Sequence, residues 1–194
     1  TIFNKINLKK FMCGIVGIYL KTKKFEKNLG KMLSGMLNNM ESRGPDSAGF
    51  AIYKNEGNKD YKFSLCINDL NFNIFKKELS KKIKKIKLKQ ISDHVILKTE
   101  EKPKKVISVI SSYFPEVSIV GYGKSIEIFK QVGNPKDVVK KFKLGEFSGT
   151  HGIGHTRMAT ESAITTDGSH PYSTGEDECL VHNGSLSNHN NLRR

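Results

Sequence analysis

The sequence predicts an α+β fold, and three observations carry that prediction. Cys13 to Leu20 is an apolar, glycine-punctuated run that reads as a strand. Leu29, Met32, Leu33, Met36, Leu37 and Met40 then recur at three-and-four spacing, the stripe of a helix of roughly four turns with one core face. Gly49 to Tyr53 returns as a strand, and Glu178 to Val181 reads as a late strand running into a turn.

Between these anchors the elements follow in order. The methionines of the helix stripe are adaptable core packing. Arg43-Gly44-Pro45-Asp46 ends the helix, because Gly and Pro break it and favour a turn. A long segment between Tyr53 and Gly149 opens with the polar loop Asn55 to Asp60 and a strand from Tyr61 to Ile67. Phe75, Leu79, Ile83 and Ile86 predict an amphipathic helix whose solvated face carries Lys76, Lys77, Lys81, Lys82, Lys84 and Lys85. Asp93 to Lys98 reads as a strand and Lys104 to Phe114 as a helix. Val117 to Tyr122 and Ser125 to Phe129 read as a strand pair around Gly123, and a Pro135-led helix runs through Phe142. This alternation predicts a small α+β subdomain inserted at 55–148.

Cys13 follows Met12 and begins the run Cys13-Gly14-Ile15-Val16-Gly17-Ile18. Two readings stand for it. A cysteine there packs as a small hydrophobe at the head of a buried strand. Alternatively, removal of the preceding residues exposes a thiol and an α-amine on one residue. That amine has an unperturbed pKa near 8 and takes the thiol's proton at neutral pH, so nucleophile and base come from one residue.

Three further segments weigh on the choice: Arg43-Gly44-Pro45-Asp46-Ser47-Ala48-Gly49, Gly154-His155-Thr156-Arg157-Met158-Ala159-Thr160, and His182-Asn183-Gly184-Ser185-Leu186-Ser187-Asn188. In this order, with the Cys13 run, they resemble the class II, N-terminal-nucleophile glutamine amidotransferases. Ser47 to Ala51, Ile119 to Gly123 and Gly154 to Asn190 are closer still to the amidotransferase subunit of N-methylglutamate synthase, a relative of glutamate synthase. The resemblance covers nearly all of residues 12–194. It implies an αββα four-layer sandwich, C-terminally truncated here, with core parts at 13–54 and 149–194 around the inserted 55–148, and a leader or upstream extension at 1–12.

The resemblance also implies roles. Cys13 is the nucleophile, while the Asn183 side-chain amide and the Gly184 backbone N–H form the oxyanion hole. Loss of one such donor costs about 3–4 kcal/mol of transition-state stabilisation. Asn-Gly is equally a favoured two-residue hairpin turn, and the two readings are compatible. Arg157 is assigned to the α-carboxylate of glutamine, because a guanidinium matches a carboxylate bidentately where lysine does not. Composition supports this: the chain has four arginines among 33 basic residues, and Arg43 and Arg157 are the two inside motifs. By resemblance Arg43 and Gly44 shape the pocket beside the nucleophile, and Thr160 and His170 line the glutamine site. The aspartate that holds the substrate's α-amino group in this family has no counterpart before Arg194. Together with the residues before Cys13, this reads as a fragment, a translation begun upstream of Met12, or a precursor with a cleaved propeptide.

Composition bounds the remainder. No stretch approaches the ~18 apolar residues of a membrane span. Three widely separated cysteines argue against a disulfide framework and for a reducing cytoplasm. The net charge of +14 is nearly all lysine, without an Arg-rich stripe, so no nucleic-acid partner is expected. His151 with His155, and Cys179 with His182, have ligand-like spacings, but nothing closes either into a zinc site, so no metal is expected. The resulting expectation is an enzyme that hydrolyses the side-chain amide of L-glutamine and supplies ammonia to a glutamate-synthase-like partner subunit. Any flavin or iron–sulfur cofactor would belong to that partner, since no such motif occurs in this chain. The alternatives are an amidotransferase for a purine or amino-sugar pathway, and an inactive glutamine-binding subunit.

Overall fold

The computed structural model describes residues 12–54, 57, 59–159 and 163–184. Its elements run β1 (Gly14–Tyr19), α1 (Leu29–Asn39), β2 (Ser47–Tyr53), β3 (Tyr61–Cys66), α2 (Phe72–Lys82), β4 (Lys87–Ile91), β5 (His94–Thr99), α3 (Pro103–Tyr113), β6 (Ser118–Gly123), β7 (Ile126–Val132), α4 (Pro135–Lys141), β8 (His151–Arg157), β9 (Tyr172–Gly175) and β10 (Glu178–Leu180). One four-stranded sheet has the order β1-β8-β2-β7, a second has the order β4-β5-β3-β6, and β9 and β10 form a hairpin. Every ladder is antiparallel. This mixed architecture of antiparallel sheets and four α-helices is compatible with an N-terminal-nucleophile amidotransferase fold.

The register of the first sheet divides it into two faces. Val16, Phe50, Ile52 and Phe129 lie on one, where they pack against Leu29, Leu33 and Leu37 of α1 and Val138 of α4. Each fully buried Leu or Phe contributes roughly 1.5–3 kcal/mol. Close approach of α1 to β8 depends on Gly154, since a Cβ there would sit 2.9 Å from Leu37. The opposite face is polar at one end, with His155, Arg157 and Lys130 around Ile15 and Gly49, and apolar at the other, where Ala51, Ile126, Ile128 and Ile153 cluster.

The second sheet alternates cleanly. Phe63, Leu65, Val95 and Leu97 pack beneath α2 and α3 with Phe75, Leu79, Val106 and Ile110. Its other face spans the free edge of β7: Ser64 Oγ accepts from the Ile128 N–H at 2.9 Å, and buried Lys62 meets Glu127 at 3.4 Å. An open strand edge is a template for unwanted pairing, and here it is covered.

Four expectations change. The helix after Asn71 stops at Lys82 instead of running through Ile86: Ile83 is already extended and Lys85 takes a positive φ of 51°. The clustered like charges at 81, 82, 84 and 85 disfavour another turn, and Lys87–Ile91 forms an edge strand that the helical spacing of Ile83 and Ile86 concealed. Helix α1 has about three turns instead of four: it starts with its stripe at Leu29 and stops one residue short of the stripe's end, where Met40 is the C-cap. Strands β6 and β7 do not pair with each other. Lys124 and Ser125 form a corner between the two sheets, where Asp177 accepts backbone N–H bonds from residues 124, 125 and 126 and a fourth bond from the Ser125 hydroxyl. Finally, β7 and α4, inside the 55–148 segment, build onto the first sheet and its core. Among the described residues no helix is long and apolar enough to cross a membrane.

Candidate active site

The polar face of the first sheet is assembled by register. Gly14 pairs with Thr156, so Cys13, one residue earlier, falls opposite Arg157; Ser47 flanks Arg157 on the other side. Residues directly opposite in an antiparallel pair point to the same face. Cys13 therefore stands at the mouth of the sheet beside Arg157 rather than inside the helical core. Its thiol is half-buried and free of disulfides. The Met158 N–H donates to Cys13 Sγ at 3.4 Å, and the Met158 carbonyl lies 3.8 Å from the same sulfur.

Two turns hold this end of the sheet. Gly44 lies against β8, where an added Cβ would come within 2.5 Å of the Thr156 carbonyl carbon, so only glycine permits the approach. Asp46 then locks the turn: its backbone N–H bonds the Arg157 carbonyl, and its carboxylate accepts the Ala159 N–H at 2.8 Å. Asp46 fixes the peptide that presents the Met158 N–H to Cys13. Reading the sequence assigned no role to this residue, although an Asx side chain after Gly-Pro is a recognised turn signal.

Asn183 reaches Cys13 from the third segment. Its side-chain amide donates to the Cys13 carbonyl at 3.0 Å. The same amide carries a second N–H. Gly184 is exposed next to it. The segment is tethered by His155, whose Nε2 donates to the His182 carbonyl at 2.9 Å and is thus the protonated nitrogen of a neutral ring. His155 and His170 stack at 4.2 Å, and Tyr172 lies 4.4 Å beyond His170. Burial holds His155 down to about 4, against the His182 hydrogen bond and with the Arg157 charge adding to it. Burial, then the His155 and Arg157 charges, hold His170 down to about 3. Both rings are neutral packing units near pH 7.

Arg157 is 9% exposed, and one of its guanidinium nitrogens donates to the Ala163 carbonyl at 3.3 Å. Buried Lys130 holds the loop before His170 through the Asp167 and Ser169 carbonyls, at 3.0 and 2.9 Å. Arg43 is exposed, with its backbone N–H on the Met40 carbonyl. Thr160 lies outside the described residues. The structure thus brings together Cys13, Gly44, Arg157 and Asn183, places His170 behind His155, and leaves Arg43 at the rim. His151 and His155 lie on one extended strand, about 13 Å apart along it, too far to share a metal ion.

No protein-family model matches the chain. It is 48% identical over 186 residues to the glutamine amidotransferase-like protein GlxB of Rhizobium meliloti, covering 94% of this chain and 62% of that protein. It is 31% identical over 197 residues to a putative glutamine amidotransferase of Methanothermobacter thermautotrophicus, covering 94% and 64%. A shorter match of 70 residues, 39% identical, links 36% of the chain to glutamine–fructose-6-phosphate aminotransferase (isomerizing) of Methanococcus maripaludis. The chain spans less than two thirds of the two long relatives it matches. These similarities support a glutamine amidotransferase family for this chain.

Proposed function

We propose that this chain is the glutamine-hydrolysing part of a class II, N-terminal-nucleophile amidotransferase. The observation that carries the reading is the seating of Cys13 Sγ on the Met158 N–H with the Asn183 amide on the same residue's carbonyl. Once residues up to Met12 are removed, the Cys13 α-amine takes the thiol proton and the thiolate attacks the side-chain amide carbon of L-glutamine. Asn183 and the Gly184 N–H hold the oxyanion, and Arg157 holds the substrate carboxylate, with Thr160 and His170 lining that pocket. The C–N bond breaks as the amine returns its proton to the leaving ammonia. Water then cleaves the γ-glutamyl thioester, releasing glutamate and the thiol.

The acceptor belongs to the same proposal. Ammonia passes to a glutamate-synthase-like partner that holds the flavin or iron–sulfur groups, in an enzyme of the N-methylglutamate synthase kind acting in the reducing cytoplasm. With methylamine present, the thioester transfers its glutamyl group directly. The inserted segment is the surface we assign to that partner, and the complete fold is taken as an αββα sandwich. The match to an aminotransferase acting on fructose 6-phosphate keeps amino-sugar synthesis as the second reading.

The test is mass spectrometry of the full gene product after exposure to a glutamine-mimicking diazoketone. An N-terminus at Cys13 carrying the label is the expected result. A chain that retains residues 1–12 and leaves Cys13 unlabelled would overturn the mechanism and favour a binding-only subunit.

A further inference from the structure

A second cluster of reactive side chains lies away from this site, where the second sheet meets β7 and α4. Cys66 and His94 are directly opposite in the β3–β5 ladder, and both belong to the face turned toward the first sheet. Asp93 enters from the tip of the β4–β5 hairpin, where Ser92 takes a φ of 58°. Cys66 Sγ, a ring nitrogen of His94 and a carboxylate oxygen of Asp93 all lie within 4.8 Å of one another. Cys66 and His94 are essentially inaccessible, walled by Phe129 and Phe142 at 5.7 and 4.8 Å from the imidazole.

The hydrogen bonds leave this cluster incomplete. His94 Nδ1 meets Asp93 Oδ1 at 3.0 Å, Lys141 takes the other Asp93 oxygen at 2.9 Å, and the Cys66 thiol donates weakly to Asn68 Oδ1 at 3.3 Å. His94 Nε2 is buried without a partner. An unsatisfied buried group of this kind costs about 1–3 kcal/mol, which needs a reason.

We propose that Cys66, Asp93 and His94 bind one thiophilic divalent cation, of which Zn²⁺ is the best fit. Thiolate, imidazole and carboxylate are the donors this ion takes in tetrahedral sites, at about 2.3 Å to sulfur and 2.0–2.2 Å to nitrogen and oxygen. Those lengths require donors roughly 3.3–3.6 Å apart, within about 1 Å of side-chain rotation from the present positions. As the metal–sulfur bond forms, the thiol proton leaves to solvent. Thiolate and carboxylate then balance the two positive charges. Lys141 keeps its hold on the second Asp93 oxygen and works against the cation's charge. Asn68 Oδ1 completes the fourth position. The ion would tie the end of β3 to the β4–β5 hairpin, independently of glutamine chemistry.

The experiment is a Co²⁺ titration of the reduced, chelator-stripped full chain. A thiolate-to-cobalt charge-transfer band should saturate at one equivalent, and Zn²⁺ should abolish it. The band should vanish in Cys66→Ser and persist in Cys13→Ser and Cys179→Ser. Asp93→Asn, on a half-exposed turn, should weaken Co²⁺ binding about 10–100-fold. No band in the parent chain, a band retained in Cys66→Ser, or a band lost in Cys13→Ser would overturn the proposal. If Cys66→Ser fails to fold by circular dichroism, unchanged affinity in Asp93→Asn would do the same.

Discussion

The two four-stranded sheets share a chain and an antiparallel plan but are built on opposite terms. The second sheet follows the alternation rule: Phe63, Leu65, Val95 and Leu97 go inward under α2 and α3, and lysines line the far side of those helices. The first sheet follows that rule on one face only. Its other face buries His155, Arg157 and Lys130, with His170 packed on His155, and leaves Nδ1 of both histidines without a partner among the described residues. Apolar burial stabilises the second sheet, whereas the first gives up some of that stabilisation to hold polar groups in fixed positions. The contrast predicts where substitutions will damage chemistry and where they will damage only folding.

The sharpest break is at Cys13. Cys13→Ala is expected to lower glutamine hydrolysis by about 10⁴-fold or more, with an unchanged thermal midpoint, because the thiol contributes little packing. A variant that still turned over glutamine would dismiss the first sheet as a catalytic surface. Phe63→Ala reverses the pattern. It should cost about 3–5 kcal/mol in urea unfolding, while the remaining folded fraction keeps its activity per molecule.

Arg157→Lys tests the polar face without removing charge. Loss of bidentate carboxylate binding should lower kcat/KM about 30–100-fold, equivalent to about 2–3 kcal/mol. Most of that should appear in KM for glutamine. An equal fall in kcat with KM unchanged would mean that Arg157 acts in the transition state instead.

The smallest expected effect is one of pH. His155 has an ordinary pKa of 6.5 and is held to about 4 by burial. Between those values the unfolded chain binds the proton and the folded chain does not, so stability rises with pH across this window and is lost as pH falls through it. The loss between pH 7.5 and pH 5 should be on the order of 2 kcal/mol. His170, held down to about 3, adds a loss of the same sign; urea midpoints across that range would measure the sum, and His155→Gln should reduce the slope by about half. A slope unchanged by the substitution would assign the pH dependence to other groups.

What the sequence revealed follows the same division. Helices α3 and α4 and strands β2, β3 and β5 were legible because propensity and burial agree there. Strand β4 was not, since Ile83, Ile86 and Leu88 fit both a helical and a strand face, and only pairing with β5 decides. The separation of β6 from β7 was hidden because the clasp at their corner comes from Asp177, far along the chain. In the site, the family resemblance of the motifs singled out Cys13, Arg157 and Asn183. Asp46 and the His155–His170 stack escaped notice because their roles arise from cross-strand register and a loop brought over it.

The cover that the second sheet places over the β7 edge has a consequence for any shortened form of the chain. Ser64 takes the Ile128 N–H and Lys62 is buried against Glu127. A version that kept β7 but lost β3 to β6 would bare a strand ready to zip onto another copy.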